Sequence, residues 1–153
     1  MANIEKSIDV EVPVRTAYNQ WTQFEEFPSF MEGVTAVTQV DDRRLRWQAN
    51  IGGKNKEWTS EITEQRPDER VAWKSTSGAK NAGVVTFHRL ADRKTRVMLQ
   101  LEYDPEGMVE NVGDTVGLVT ARVSRDLTRF KDYIESRQRE TGAWRGEVPA
   151  KGL

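Results

Sequence analysis

Hydrophobic and polar positions divide this chain into two periods. From Met108 to about Arg139 apolar residues recur every three or four positions: Val109, Val112, Val116, Val119, Val123, Leu127, Phe130 and Ile134. That is one stripe of an α-helix roughly 45 Å long at about 1.5 Å per residue. Its two halves differ. From Leu127 onward the outer face carries Arg129, Lys131, Asp132, Glu135 and Arg137, as on a solvated helix. From Val112 to Thr120 the only charge is Asp114, and Gly113 and Gly117 lie four apart. Each glycine costs about 1 kcal/mol relative to alanine in a helix interior. A bend, or close approach of a backbone or ligand, would offset that cost.

From Gly33 to Tyr103 the period is two. Val34–Val40 reads as a strand, and Leu45, Trp47, Ala49 and Ile51 alternate with Arg46, Gln48 and Asn50. Gly52-Gly53 signals a hairpin. The next inward sets are Trp58, Ser60 and Ile62, then Val71, Trp73 and Ser75, then Gly83, Val85 and Phe87. Val97, Leu99, Leu101 and Tyr103 complete the series. Ahead of it, Ile4, Ile8, Val10 and Val12 predict a half-buried first strand that Pro13 ends. Two short helices, about 14–22 and 24–31, are expected next, because Pro28 forbids one continuous helix. Hairpin-length connectors make the sheet antiparallel, and its single apolar face leaves the long helix to cover it. The expected fold is α+β, a curved seven-stranded antiparallel sheet with two short helices and one long C-terminal helix over a central cavity. Residues 1–140 form one domain in this reading, and 141–153 an irregular tail that Trp144 can pin to the body.

Bulk properties narrow the functions. The 153 residues suit one domain, and acidic and basic residues are mixed along the chain at net charge −1. No basic stripe points to nucleic acid. There is no cysteine and one histidine, His88, so a metal site would have to be built mostly from carboxylates. No metal-ligand cluster, nucleophile elbow or phosphate-cradling glycine loop occurs, and neither metal nor cofactor is expected. No basic, apolar leader and no run of membrane-spanning length are present, which predicts a cytoplasmic location without stable membrane insertion. Composition leaves the oligomeric state open.

The inward aromatic residues carry the candidate chemistry. Trp47, Trp58 and Trp73 take matching positions on three consecutive strands, joined by Phe87 and Tyr103. Facing them is the glycine-containing half of the helix, with little bulk to fill the space. A cavity is expected, with Ser60, Ser75 and Tyr103 as sparse polar points on apolar walls. Further candidate lining comes from Phe27, Phe30 and Met31 of the connector, Ile62 and Leu99 of the sheet, and Val112 and Val116 of the helix. The catalytic candidates are Ser60, Tyr103 and Asp114, the last because desolvation near a cavity entrance would raise its pKa. His88 is expected to point outward.

The order of elements, the Trp21…Phe27-Pro28…Phe30-Met31 connector and the Glu57-Trp58 strand together resemble the START-like (Bet v 1, helix-grip, SRPBCC) superfamily. Within it the chain resembles the polyketide cyclase/dehydrase branch with its coenzyme-Q-binding relatives, over about residues 3–138. The resemblance implies a cavity between sheet and long helix that holds a hydrophobic molecule such as a lipid, hormone, polyketide or isoprenoid quinone. Aromatase/cyclases of this branch are similar around a Trp-x-Ser-x-Arg run, whose arginine helps to bind and polarise the polyketide. Here the run is Trp58-Thr59-Ser60-Glu61-Ile62, so isoleucine stands at the arginine position. Isoleucine can neither donate a hydrogen bond nor stabilise an enolate. Three readings follow: a carrier or sensor of a small hydrophobic ligand, a cyclase or dehydratase using the same pocket, and a protein-interaction module with a filled core.

Overall fold

A computed structural model describes residues 2–51, 53–105 and 115–150. The elements are β1 (Ala2–Val10), α1 (Val14–Trp21), a 3-10 helix (Phe24–Ser29) and β2 (Val34–Gln39). They continue with β3 (Arg44–Ile51), β4 (Lys54–Arg66), β5 (Arg70–Gly78), β6 (Asn81–Ala91) and β7 (Lys94–Tyr103). The long helix, here α2, is described over Thr115–Arg137. Val109, Val112, Gly113 and Asp114 lie outside the described residues.

The seven strands form one antiparallel sheet in the order β1-β7-β6-β5-β4-β3-β2. Strands β2 to β7 are the expected meander. The pairing of β1 with β7, Ala2 opposite Tyr103 through Val10 opposite Thr95, joins the two ends of the strand series. Register shifts in β4 against β5, at Thr59/Ser60 and Ile62/Glu64, bend the sheet. The second shift also changes which face is buried. After Ile62, 1% exposed, the next fully buried side chain of β4 is Gln65, three residues on instead of two. The result is the curled sheet and long helix of a helix-grip fold.

Between β1 and β2 the connector follows a period of three. Trp21, Phe24, Phe27 and Phe30 are all buried, and side chains at i and i+3 eclipse on a 3-10 helix. Pro28 sits inside that helix, where the short run tolerates its missing N–H. This aromatic row meets the buried stripe of α2, formed by Val119, Val123, Leu127, Phe130 and Ile134. Trp21 and Phe130 pack edge to face at 5.0 Å between ring centroids, and Phe30 and Phe130 at 5.2 Å. Aromatic pairs of this kind add about 0.5–1.5 kcal/mol beyond area burial.

Past α2, residues 141–150 run without helix or regular strand but are tied to the body. The Trp144 N–H donates to Thr22 Oγ1 at 3.0 Å, and Val148 exchanges backbone hydrogen bonds with Gln65. Arg145 donates to Asp68 Oδ2 at 2.9 Å and lies over the Tyr18 ring.

Candidate ligand-binding cavity

Sheet, connector and α2 line a cavity of about 170 Å³. Trp21, Phe24, Phe27 and Met31 contribute from the connector side, and Val123, Asp126 and Leu127 from α2. The sheet supplies Val34, Leu45, Trp47, Trp58, Val71, Trp73, Asn81, Leu99 and Leu101. A wider hollow of about 550 Å³ lies elsewhere, but Asn3, Glu5, Gln100 and Glu102 on its lining deny it an apolar wall.

Trp47 and Trp58 are cross-strand partners, and their rings stack at 5.7 Å with 7° between planes. The Trp47 indole N–H donates to Ser60 Oγ at 2.9 Å. Trp73 pairs across β5 and β6 with Gly83. A Cβ at Gly83 would meet Trp73 Cζ2 at 2.8 Å, so glycine lets the indole lie on the strand. The Trp73 N–H donates to Asn81 Oδ1 at 3.2 Å. Asn81 is itself fixed, its N–H donating to Ser75 Oγ and its Nδ2 to the Ala79 carbonyl, each at 3.0 Å. These bonds satisfy polar groups of Ser60, Ser75 and Asn81 and hold the rotamers of the wall.

Six of the sequence candidates line this cavity: Phe27, Met31, Trp47, Trp58, Trp73 and Leu99. Others among the described residues are placed elsewhere. Phe30 is wedged between Phe130 and Tyr133, and Phe87 packs against Tyr18 and Trp21 beneath α1. Ile62 and Tyr103 are fully buried core residues. Ser60 is 1% exposed and its hydroxyl accepts the Trp47 indole N–H, so it braces the wall instead of forming it. Val116 is 46% exposed. Val112 and Asp114 lie outside the described residues. His88 is exposed and shares a 2.9 Å hydrogen bond with Thr86.

The sequence reading missed Asp126, the one ionisable side chain among the described lining residues. Its Oδ1 accepts the Glu32 N–H at 3.0 Å. Burial pushes its carboxyl up to about 6, against the Glu32 N–H and the charges of Arg122 and Arg129, which act to lower it. One helical turn earlier, Arg122 Nη1 donates to the Glu32 carbonyl at 3.0 Å and the Asn50 carbonyl at 3.1 Å. Arg122 and Asp126, four residues apart on one face, thus grip both sides of residue 32. Glu32 in turn attracts Arg125 and Arg129 at 3.5 and 3.8 Å. A sequence signal existed: Asp126 is three residues after Val123 and seven after Val119, on the edge of the apolar stripe.

Residues 10–132 match the family model described as polyketide cyclase/dehydrase and lipid transport. An uncharacterized 17.2 kDa protein of Streptomyces lincolnensis is 54% identical over 149 residues, spanning 97% of this chain and 99% of that protein. Among solved structures, the Zhui aromatase/cyclase of Streptomyces sp. R1128 superposes with a TM-score of 0.76 at 14% identity, covering 94% of this chain and 99% of its own. A START superfamily protein from Mycobacterium smegmatis superposes with a TM-score of 0.69 at 13% identity, over 88% of this chain and 95% of its own. At such identities the two structures share the fold with this chain.

Proposed function

Because this chain belongs to the polyketide cyclase/dehydrase and lipid transport family, we propose that it binds a small hydrophobic molecule in the cavity between sheet and α2, as a cytoplasmic carrier or sensor. The observation that carries this reading is the cavity itself, walled by four tryptophans and other apolar side chains. An apolar cavity of about 150 Å³ stays dry and accepts a benzene-sized guest. At about 170 Å³ the present one suits a single ring, or the ring-bearing end of a larger polyketide-, lipid- or isoprenoid-like molecule. Among the described residues no helix is long and apolar enough to cross a membrane.

A second reading, a cyclase or dehydratase, gains support from Asp126. A carboxyl pushed up to about 6 is poised to exchange protons near neutral pH. Ile62 counts against it, since it is buried behind the wall and brings no electrophile. A protein-interaction module would be better served by a filled core.

Native mass spectrometry after gentle purification, followed by titration of one-ring and isoprenoid compounds against tryptophan fluorescence, tests the binding reading. Saturable changes are expected, because Trp21, Trp47, Trp58 and Trp73 all line the cavity. No co-purified molecule and no fluorescence change across the panel would overturn it. Turnover of a bound compound, lost in Asp126→Asn, would favour the enzyme.

A further inference from the structure

The cavity wall is not uniformly apolar. Asp126 brings a carboxylate among Trp47, Trp58, Trp73, Leu99 and Leu127. Its orientation is fixed from outside, because Oδ1 accepts the Glu32 N–H while Arg122 holds the Glu32 carbonyl. The neighbouring guanidiniums make no hydrogen bond to Asp126: Arg125 and Arg129 lie within ion-pair distance of Glu32, and Arg122 Nη1 donates to two backbone carbonyls while its buried Nε has no partner. Among the described residues no side chain or backbone donor reaches Asp126 Oδ2.

An apolar ligand that covered Oδ2 would strip it of solvent at a cost, and a donor brought by the ligand would offset that cost. The space left for such a ligand, about 170 Å³, is that of one substituted ring. We propose that the cavity is a site for a single-ring aromatic molecule carrying one proton-donating substituent, a hydroxyl or an ammonium. The ring lies among Trp47, Trp58 and Trp73, and the substituent donates to Asp126 Oδ2. Hydroxyl and ammonium share the donor chemistry, and an ammonium would also gain from the faces of the tryptophans. A ring without the donor would cover Oδ2 and leave it without a partner, which is the source of discrimination. This inference rests on the ligand-binding reading above and specifies the ligand.

Four probes at about pH 8, where Asp126 is ionised, separate the possibilities: toluene, 4-methylphenol, benzylamine and benzaldehyde, each titrated by calorimetry and tryptophan fluorescence. In the wild type, 4-methylphenol, benzylamine or both are expected to bind at least about tenfold tighter than toluene. An advantage confined to benzylamine identifies the ammonium as the recognised donor, and one confined to 4-methylphenol identifies the hydroxyl. In Asp126→Asn the Glu32 N–H keeps the amide oxygen where Oδ1 was, turning the amide nitrogen toward the cavity. The variant should therefore lose the donor advantage, bind toluene no more weakly than the wild type does, and prefer benzaldehyde. Equal binding of toluene and both donor rings in the wild type would overturn the inference while leaving the ligand-binding reading intact. Survival of the donor advantage in a folded Asp126→Asn protein would do the same. Failure of every probe to bind the wild type would overturn the inference, and overturn the ligand-binding reading too if the isoprenoid compounds also fail. The wild-type comparison decides the matter by itself if the variant does not fold.

Discussion

At the scale of single residues, Asp126 shows what a linear pattern conceals. Spacing located the apolar stripe of α2 and drew attention to Asp114 as the charge in its least polar stretch. Yet desolvation depends on what lies opposite a side chain, and Asp126 faces the connector and the tryptophan wall. Its partner, the Glu32 N–H, is 94 residues away in sequence and has no signature there. The consequence is measurable. Because burial raises the carboxyl from 3.8 to about 6, the native state retains a proton that the unfolded chain has lost within that window. This contribution to stability is fully present below the unfolded value and is lost as pH rises through about 6. Asp126→Asn should thus stabilise the protein by on the order of 1 kcal/mol at about pH 8, a figure already discounted for partial exposure. At about pH 4 it should have little effect. Urea unfolding of both proteins at the two pH values checks this, and equal differences at both would contradict it.

At the scale of elements, the sequence was most informative where a period was sustained. The strand series, the division of the connector into two short helices and the α2 stripe were legible from spacing, although that division falls at Thr22–Gln23 and Pro28 sits inside the second helix instead of breaking the run. Contacts between distant elements were not legible. The pairing of β1 with β7, the shift that buries Gln65, and the docking of Val148 on β4 depend on tertiary geometry. So does the clamp of α2 on the connector. Gly33 lies beneath it with φ +88°, a left-handed conformation that glycine adopts without strain. A Cβ there would collide with Arg122 Nη1 and stand 2.7 Å from the Asn50 carbonyl. Gly33→Ala is therefore expected to cost roughly 1–3 kcal/mol, through both backbone strain and displacement of Arg122. Chemical denaturation measures that loss. A neutral outcome would mean that the clamp does not help to hold α2 against the connector.

At the scale of the whole molecule, a hollow was expected where large side chains face the glycine-containing half of the helix, yet the described helix lining is Val123, Asp126 and Leu127, and the size did not follow from the pattern either. Phe30, Ile62, Phe87 and Tyr103 were as eligible for the lining as Trp47 or Trp58, and the choice between filling and walling lies in packing that no pattern records. By filling the core, those four residues leave a cavity of about 170 Å³, below the roughly 300–1,000 Å³ usual for ligand sites. Whether that volume is real space available to a guest can be tested without knowing the ligand. Val71 lines the cavity from β5 and is 1% exposed. In a solid core, Val71→Phe would overpack and cost about 1–3 kcal/mol. With the cavity in front of it, the larger ring has somewhere to go, so the variant should lose less than about 1 kcal/mol in urea unfolding and gain apolar contact. The same ring occupies the space proposed for the ligand, so binding of the one-ring probes should fall by at least about tenfold. Near-wild-type stability with lost binding is the expected pair of results. Marked destabilisation would show that the volume is not available, and retained binding in a stable variant would place the ligand elsewhere on the protein.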